Sequence, residues 1–406
     1  MIEELLAAAR DCGRSLQKSL ALPNMDRLCA ELAERLTDRS WRPGLYTRFA
    51  VQEPKLREIF APGFNGRVAE AWLTGQVEPA LERLYIDDSY ANRKNKGPLA
   101  AVNKVQALMR RPGNGWALQL DFRSFFHSIH RPTLLGLWLD FLDRAGLPLR
   151  RAELAAYISR TILENNATAH CRTQPGSRPL LARIPVHKSL LSATPQTGLP
   201  IGSVASQHFA NFYLNGLDHF IKHELRVKAY ARYMDDLFLL GPSPEVLHGW
   251  RDEIAAYAAG LRLALHPGKE QLSRAAQGVE YLGYRVYPHH RHVLSRTVKT
   301  LKARLDFFKH LLTPADFPKA QCPLRGSWPA YLRERRLEPP LEPAWPLLKK
   351  MEATINCYLG LMGHADSLGL RKMLYEKHFG LLRRFFAPSS AAYDAVHVKK
   401  RFQTRF

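Results

Sequence analysis

Residues 230–240 read Tyr230-Ala231-Arg232-Tyr233-Met234-Asp235-Asp236-Leu237-Phe238-Leu239-Leu240, and the fold turns on them. Apolar, β-prone residues flank two adjacent acids, which predicts a tight hairpin with buried strands and a turn carrying Asp235 and Asp236. Two ionised carboxylates side by side repel, so at the tip of an apolar hairpin they need a counter-charge. A hard divalent cation supplies one: Mg²⁺ takes oxygen ligands and shares them with substrate phosphates, and Mn²⁺ accepts the same donors. An exposed acidic turn is the plainer explanation of such a pair, and Asp87-Asp88, in Ile86-Asp87-Asp88-Ser89, fits it. What sets Asp235-Asp236 apart is its company.

Upstream lies Trp116-Ala117-Leu118-Gln119-Leu120-Asp121-Phe122-Arg123-Ser124-Phe125-Phe126. Trp116, Leu118 and Leu120 alternate with Ala117, Gln119 and Asp121, which predicts a strand burying one face and showing Asp121 on the other. Between the acidic stretches, Gly198-Leu199-Pro200-Ile201-Gly202-Ser203-Val204-Ala205-Ser206-Gln207 reads as a turn running into a helix. Phe209, Phe212, Tyr213 and Leu217 fall on one face of that helix. An Asp on a strand, a Gly-rich turn into a helix, then Tyr-Met-Asp-Asp on a hairpin: in this order the motifs resemble the palm of a reverse transcriptase. The resemblance implies an α+β, right-hand polymerase fold with fingers, an antiparallel-sheet palm and a helical thumb. Laid on this chain, residues 1–115 are N-terminal helices and fingers, and 116–288 the palm with a fingers insertion near 130–196. Residues 289–406 are the helical thumb and a basic tail.

Composition agrees with a nucleic-acid enzyme. The 406 residues suggest two or three domain-sized units of roughly 150 residues each. A hydrophobic fraction of 46% is ample for real cores, which excludes a disordered chain. The 59 Lys plus Arg against 37 Asp plus Glu leave a net charge of +22, an excess that points to a polyanionic partner such as nucleic acid. No stretch approaches the ~20 apolar residues of a membrane span, and Met1-Ile2-Glu3-Glu4-Leu5 lacks a signal peptide's positive region, so a cytoplasmic location is expected. The five cysteines are scattered with no Cys-x-x-Cys pair and read as reduced thiols.

Along the chain, residues 1 to about 50 read as helices on the spacing of Leu5, Ala8, Ala9, Leu28, Leu32 and Leu36. An extended segment, 51–60, precedes a helix from about Gly66 to Tyr85 with Val68, Trp72, Val77 and Leu81 inward. Tyr90 to Gly97 is a basic loop, helices span 132–143 and 151–165, and 170–197 reads as an irregular insertion. A helix over 244–261, a strand over 280–286 and a helical, basic pattern from Thr297 follow. Residues 313–346 form a proline-rich connector, helices resume over 346–386, and 398–406 reads as a mobile tail.

For phosphodiester synthesis, two metal ions on fixed carboxylates suit the in-line displacement. Asp121 and Asp235 are the expected bridging ligands, with Asp236 as third carboxylate and the Phe122 carbonyl as an extra donor. At the spacing of Phe126, five residues after Asp121, reverse transcriptases hold an aromatic under the incoming sugar that excludes a 2′-hydroxyl. Phe125 and Phe126 are the nucleotide-side aromatics here, with a purely core role for both as the alternative. Lys55 and Arg57 resemble the residues that clamp the triphosphate. Arg93, Lys94 and Lys96 resemble template or RNA contacts, or else a solvated basic loop. Lys269 matches the lysine that protonates the leaving pyrophosphate. Tyr281 and Gly283, in Tyr281-Leu282-Gly283-Tyr284, resemble the hairpin that grips the primer end.

At Ile201-Gly202 most reverse transcriptases have Gln-Gly. The pattern here, with Arg57-Glu58-Ile59-Phe60-Ala61 and Asp88-Ser89-Tyr90-Ala91-Asn92-Arg93, is similar to reverse transcriptases of diversity-generating retroelements over roughly residues 50–385. The resemblance implies error-prone copying of a dedicated noncoding RNA template from a DNA or RNA primer with dNTPs, beside an accessory protein or in an oligomer. Pro98-Leu99 departs from that family, and related bacterial antiphage-defence enzymes also copy a noncoding RNA. A catalytically silent RNA-binding scaffold and an RNA-dependent RNA polymerase are the other readings. The acidic residues with Lys269 oppose the first, and Phe126 with Tyr233-Met234 the second.

Overall fold

The computed structural model describes residues 2–15, 25–52, 55–313, 328, 332 and 337–402. The ordered elements run α1 (Ile2–Ser15), α2 (Met25–Thr37), β1 (Tyr46–Val51), β2 (Arg57–Ala61), α3 (Phe64–Leu84), α4 (Pro98–Met109), β3 (Trp116–Leu120), α5 (Phe125–Ser128), α6 (Arg131–Arg144) and α7 (Leu149–Glu164). They continue with β4 (Cys171–Thr173), α8 (Arg178–Leu181), α9 (Val204–Tyr213), α10 (Asn215–His219), β5 (Tyr230–Tyr233), β6 (Asp236–Gly241), α11 (Pro244–Gly260) and β7 (Gln271–Arg274). Last come β8 (Val279–Tyr281), β9 (Tyr284–Val286), β10 (Arg291–Val293), α12 (Ser295–Leu312), α13 (Trp345–Gly363), α14 (Leu368–Met373), β11 (Phe386–Pro388) and β12 (Val396–Val398). Among the described residues, no helix is long and apolar enough to cross a membrane.

The chain divides into two compact units, residues 1–101 with 118–272, and residues 102–117 with 273–406. In the first, the helical reading of residues 1–50 stops at Thr37. Aromatic and β-branched Tyr46, Thr47, Phe49 and Val51 favour a pleated strand instead, and β1 pairs antiparallel with β2. The insertion at 170–197 is irregular apart from short elements, but its β4 adds to β1 in parallel, giving the order β2-β1-β4. A four-stranded sheet, ordered β5-β6-β3-β7, carries the acidic stretches. Within it β3 has both faces covered at its centre: Ala117 is buried along with Leu118 and Leu120, so the simple one-face alternation expected there does not hold. α3 buries Val68, Trp72, Val77 and Leu81 as its spacing requires.

In the second unit, the strand expected over 280–286 is two strands. Leu282 and Gly283 both take positive φ (43° and 95°), reversing the chain between β8 and β9, and β10 pairs with β9 to complete the sheet. Its core gathers Leu305, Phe308, Leu348, Met351, Ile355 and Leu374. The tail is packed as far as the structure describes it: β12 pairs with β11, and the Phe402 ring packs at a tilt on Phe385. The proline-rich stretch 313–346 lies largely outside the described residues, as do 403–406.

Candidate active site

β5 and β6 pair so that Tyr233 faces Asp236, leaving Met234 and Asp235 as a two-residue loop. Met234 takes φ 56°, the left-handed conformation such loops need, and an unfavourable one for a residue with a Cβ. A buried network beneath the loop holds it. Arg232, wholly inaccessible, donates from Nη1 to the Met234 carbonyl at 2.9 Å and to Asn211 Oδ1 at 2.8 Å. Its Nε and Nη2 both bind Asp218, which also accepts from the Tyr230 hydroxyl, and Nη2 reaches Ser89 Oγ at 3.2 Å. The edge of β5 is covered by residues 88–90: the Arg232 N–H donates to Asp88 O and the Tyr90 N–H to Arg232 O. Asp88 is accordingly buried and paired with Lys222 at 2.7 Å, not part of the exposed acidic turn its sequence suggests.

Asp121 follows β3. The His266 N–H donates to its carbonyl at 2.8 Å and the Arg123 N–H to Ala264 O at 2.8 Å, so residues 264–266 run along 121–123. That alignment brings Lys269 onto Asp121 Oδ2. The other oxygen, Asp121 Oδ1, is buried without a hydrogen-bond partner. Burial, reinforced by the Asp121 charge, raises the Asp235 carboxyl above its ordinary range despite Lys269 and Arg57. Burial and the charges of Asp235 and Asp121 push Asp236 up to about 7, with Lys269 and Lys55 opposing. The sequence-predicted Asp121, Asp235, Asp236, Lys269, Lys55 and Arg57 therefore share one electrostatic environment.

The Gly-rich turn lies against two of its elements. The Leu199 N–H donates to Phe126 O at 2.8 Å, and the Phe60 N–H of β2 to Ile201 O at 2.7 Å. Gly202 makes the second approach possible: its φ is 117°, and a Cβ there would stand 2.6 Å from Ile59 Cγ2 and 3.1 Å from Phe60 O. Ser203 caps α9, and buried Glu70 accepts from Ser203 Oγ and from the Val204 and Ala205 N–H groups. Phe125 is buried against Phe122, while Phe126 is only half-buried and meets Phe125 edge to face at 5.7 Å. Of the two aromatics, Phe125 belongs to the core and Phe126 keeps an accessible face.

Residues 52–286 match the family described as reverse transcriptase (RNA-dependent DNA polymerase), more than half of the chain. The chain belongs to the reverse transcriptase family. The family is that of RNA-directed DNA polymerases, which are nucleotidyltransferases, and membership gives the chain the right-hand polymerase fold. No curated protein matches it in sequence. Among solved structures it is similar to telomerase from Candida albicans in complex with a TWJ fragment of telomeric RNA, at 10% identity and a TM-score of 0.42. That match covers 86% of this chain and 61% of the telomerase chain, so the chain spans less than two thirds of that relative.

Reverse transcriptases in general depend on divalent metal, and the carboxylates of this one fit such an ion. An orphaned buried oxygen on Asp121, and Asp235 and Asp236 carboxyls raised by burial and neighbouring acids, are what a cation would satisfy. Among the described residues, no three His, Cys, Asp or Glu side chains converge on one point as they stand, and Lys269 holds one oxygen of Asp121. Phe122 has a buried ring and bridges Leu265.

The basic loop of this reverse transcriptase is less open than its sequence suggests. Arg93 donates to Glu82 and to the Ile86 and Ser89 carbonyls, which directs its guanidinium inward. Lys96 pairs with Asp87 at 2.6 Å over the Tyr90 ring, and Lys94 stays exposed. Tyr281 and Gly283 lie in the second unit, Tyr281 buried and Gly283 at the β8–β9 reversal. The Arg232 network is the functional feature that sequence reading missed. Its signal was an arginine inside an otherwise apolar strand, since a buried charge requires a partner.

Proposed function

We propose that this reverse transcriptase copies a dedicated noncoding RNA into cDNA by two-metal nucleotidyl transfer, with low fidelity, as in diversity-generating retroelements. The observation that supports catalysis is the electrostatic convergence of Asp121, Asp235 and Asp236 with Lys269, Arg57 and Lys55. Asp121, Asp235 and Asp236 would hold two divalent cations, Mg²⁺ by preference, which when bound acidify the primer hydroxyl and neutralise charge on the leaving pyrophosphate. Arg57 and Lys55 bind the triphosphate, the first as a planar fork and the second as a point charge. Lys269 donates its proton to the departing pyrophosphate oxygen. Phe126 underlies the sugar and excludes ribonucleotides. Low fidelity rests on Ile201, which offers apolar contact where a glutamine side chain could hydrogen-bond the nucleotide.

Residues 1–115 then serve as N-terminal helices and fingers, 116–288 as palm with its insertion near 130–196, and 289–406 as thumb and tail. Lys94, with the Tyr281-Gly283 reversal, contributes to holding template and primer, and an accessory protein or second copy completes the assembly. The experiment is Mg²⁺-dependent dNTP incorporation by Asp235→Asn, which retains the fold, the carbonyl acceptor and most of the volume. Activity should fall to background with RNA binding intact. Near-wild-type incorporation by the folded variant would remove the carboxylates from catalysis.

A further inference from the structure

The hairpin between β9 and β10 carries Tyr287-Pro288-His289-His290-Arg291-His292, beyond the β8–β9 reversal assigned to the primer end. Tyr287 stacks on His290 with centroids 4.4 Å apart and planes at 15°. His292 completes the cluster, 5.0 Å from His290 and 5.8 Å edge-on from Tyr287. The rings of His290 and His292 are exposed, and Tyr287 is half-buried. Exposed aromatic rings grouped in this way cost free energy in water unless something covers them.

The cluster is also held in place. The Tyr287 N–H donates to His290 O at 2.9 Å, closing the turn, and Gln106 Nε2 donates to Tyr287 O at 3.0 Å. Arg291 is tied down on both backbone and side chain: its N–H binds Asp366 Oδ2 at 3.1 Å and its Nη1 binds Asn103 Oδ1 at 2.6 Å. Gly278 admits the Tyr287 ring, because a Cβ there would stand only 2.5 Å from it. Rings fixed in advance lose little freedom on binding.

The surroundings select an anion-bearing planar ligand. From Tyr284 to Val293 the hairpin holds Arg285, Arg291 and three histidines and no acid. The acids against it are engaged: Glu280, opposite Arg285, meets Arg296 at 3.3 Å, and Asp366 binds the Arg291 backbone. The histidines are not arranged as a chelate, since among the described residues no three His, Cys, Asp or Glu are placed to hold an ion.

We propose that Tyr287, His290 and His292 form a stacking platform for unpaired nucleobases of single-stranded nucleic acid, with Arg285 beside it for the backbone. Aromatic and histidine rings stack on any base, because every base has a π-face. The test measures binding of a labelled 12-nucleotide single-stranded RNA, the matching DNA, and an abasic DNA of equal length, at one salt concentration. His290→Ala/His292→Ala should weaken the RNA, the DNA or both about tenfold, and the strand affected identifies the occupant. The abasic strand should bind wild type and variant alike, and His290→Phe/His292→Phe should restore affinity by restoring flat rings. Unchanged binding by the alanine variant overturns the platform. An equal loss on the abasic strand, or no rescue by phenylalanine, reassigns the histidines to charge or local structure and overturns it too.

Discussion

Replacing Arg232 by Met tests whether the buried network positions the Asp235 loop or only stabilises the fold. Arg232 and Asp218 are both wholly buried, and the pair carries three charge-assisted hydrogen bonds, two from Arg232 Nε and Nη2 at 2.7 and 2.5 Å and one from the Tyr230 hydroxyl at 2.7 Å. Removing one partner of a buried pair leaves an uncompensated charge, so Arg232→Met should destabilise by about 3–5 kcal/mol in urea unfolding. Replacing the set together, as Arg232→Met/Asp218→Leu/Tyr230→Phe, removes the charges and the hydroxyl that depends on them. The triple variant should recover to within about 2 kcal/mol of wild type, the remainder being the orphaned Asn211 and backbone acceptors. Activity should not recover with it. The Met234 carbonyl has lost its donor, and the loop at φ 56° is free to relax, so kcat for primer extension should stay about tenfold to a hundredfold down. A triple variant that is both stable and fully active would refute positioning. A single variant that loses less than about 1 kcal/mol would refute the energetic argument itself.

Three further expectations follow from the same geometry. Phe126→Ala should admit ribonucleotides far better while retaining some DNA synthesis, and an unchanged rNTP/dNTP ratio would return Phe126 to a packing role. Ile201→Gln should lower the error rate, most visibly opposite template adenine, when products copied from one RNA at matched dNTP concentrations are sequenced; wild-type fidelity already equal to that of a glutamine-bearing enzyme would end that mechanism. Burial pushes Glu70 up to about 7, above the value of 4.5 it has when unfolded, so its contribution to stability is complete below pH 4.5 and lost as pH rises through 7. Compared with Glu70→Gln, whose amide oxygen can still accept from α9, wild type should lose roughly 3 kcal/mol over that window, and parallel pH profiles of the two would refute the assignment.

Much of the palm was legible because its signals are local. Apolar, β-prone residues around paired acids mark β5 and β6, and the Gly-rich turn running into a helix marks α9, so these elements fall where sequence puts them. What escaped depends on contacts distant in sequence. β4 is three residues long and exists only by pairing with β1 over a hundred residues away. Asp88 and Arg93 look like solvated charges until Lys222 and Glu82 are brought to them. At Leu282-Gly283 the apolar run conceals a reversal that only the positive φ values reveal. The tail reads as mobile from its charge, yet Val398 and Phe402 dock on a core built by α12 and α13.

Two buried acidic environments meet at the hairpin and are balanced in opposite ways, Asp218 of α10 beneath it and Asp235-Asp236 on it. Asp218 is surrounded by donors: the Tyr230 hydroxyl and two arms of Arg232 engage both of its oxygens. Asp235 and Asp236, on the hairpin itself, are raised by burial and by neighbouring charge, Asp235 by Asp121 and Asp236 by Asp235 and Asp121, and Asp121 keeps a buried oxygen without a hydrogen-bond partner. A fold selected for stability alone would satisfy both sets or bury neither, because an unpaired buried carboxylate is costly. The contrast agrees with the catalytic role proposed for these acids: local rules are obeyed where the loop is anchored and broken where charge would be received. Arg232 links the two, since the guanidinium that neutralises Asp218 also holds the carbonyl one residue before Asp235. The fully compensated pair thus fixes the position of the uncompensated one.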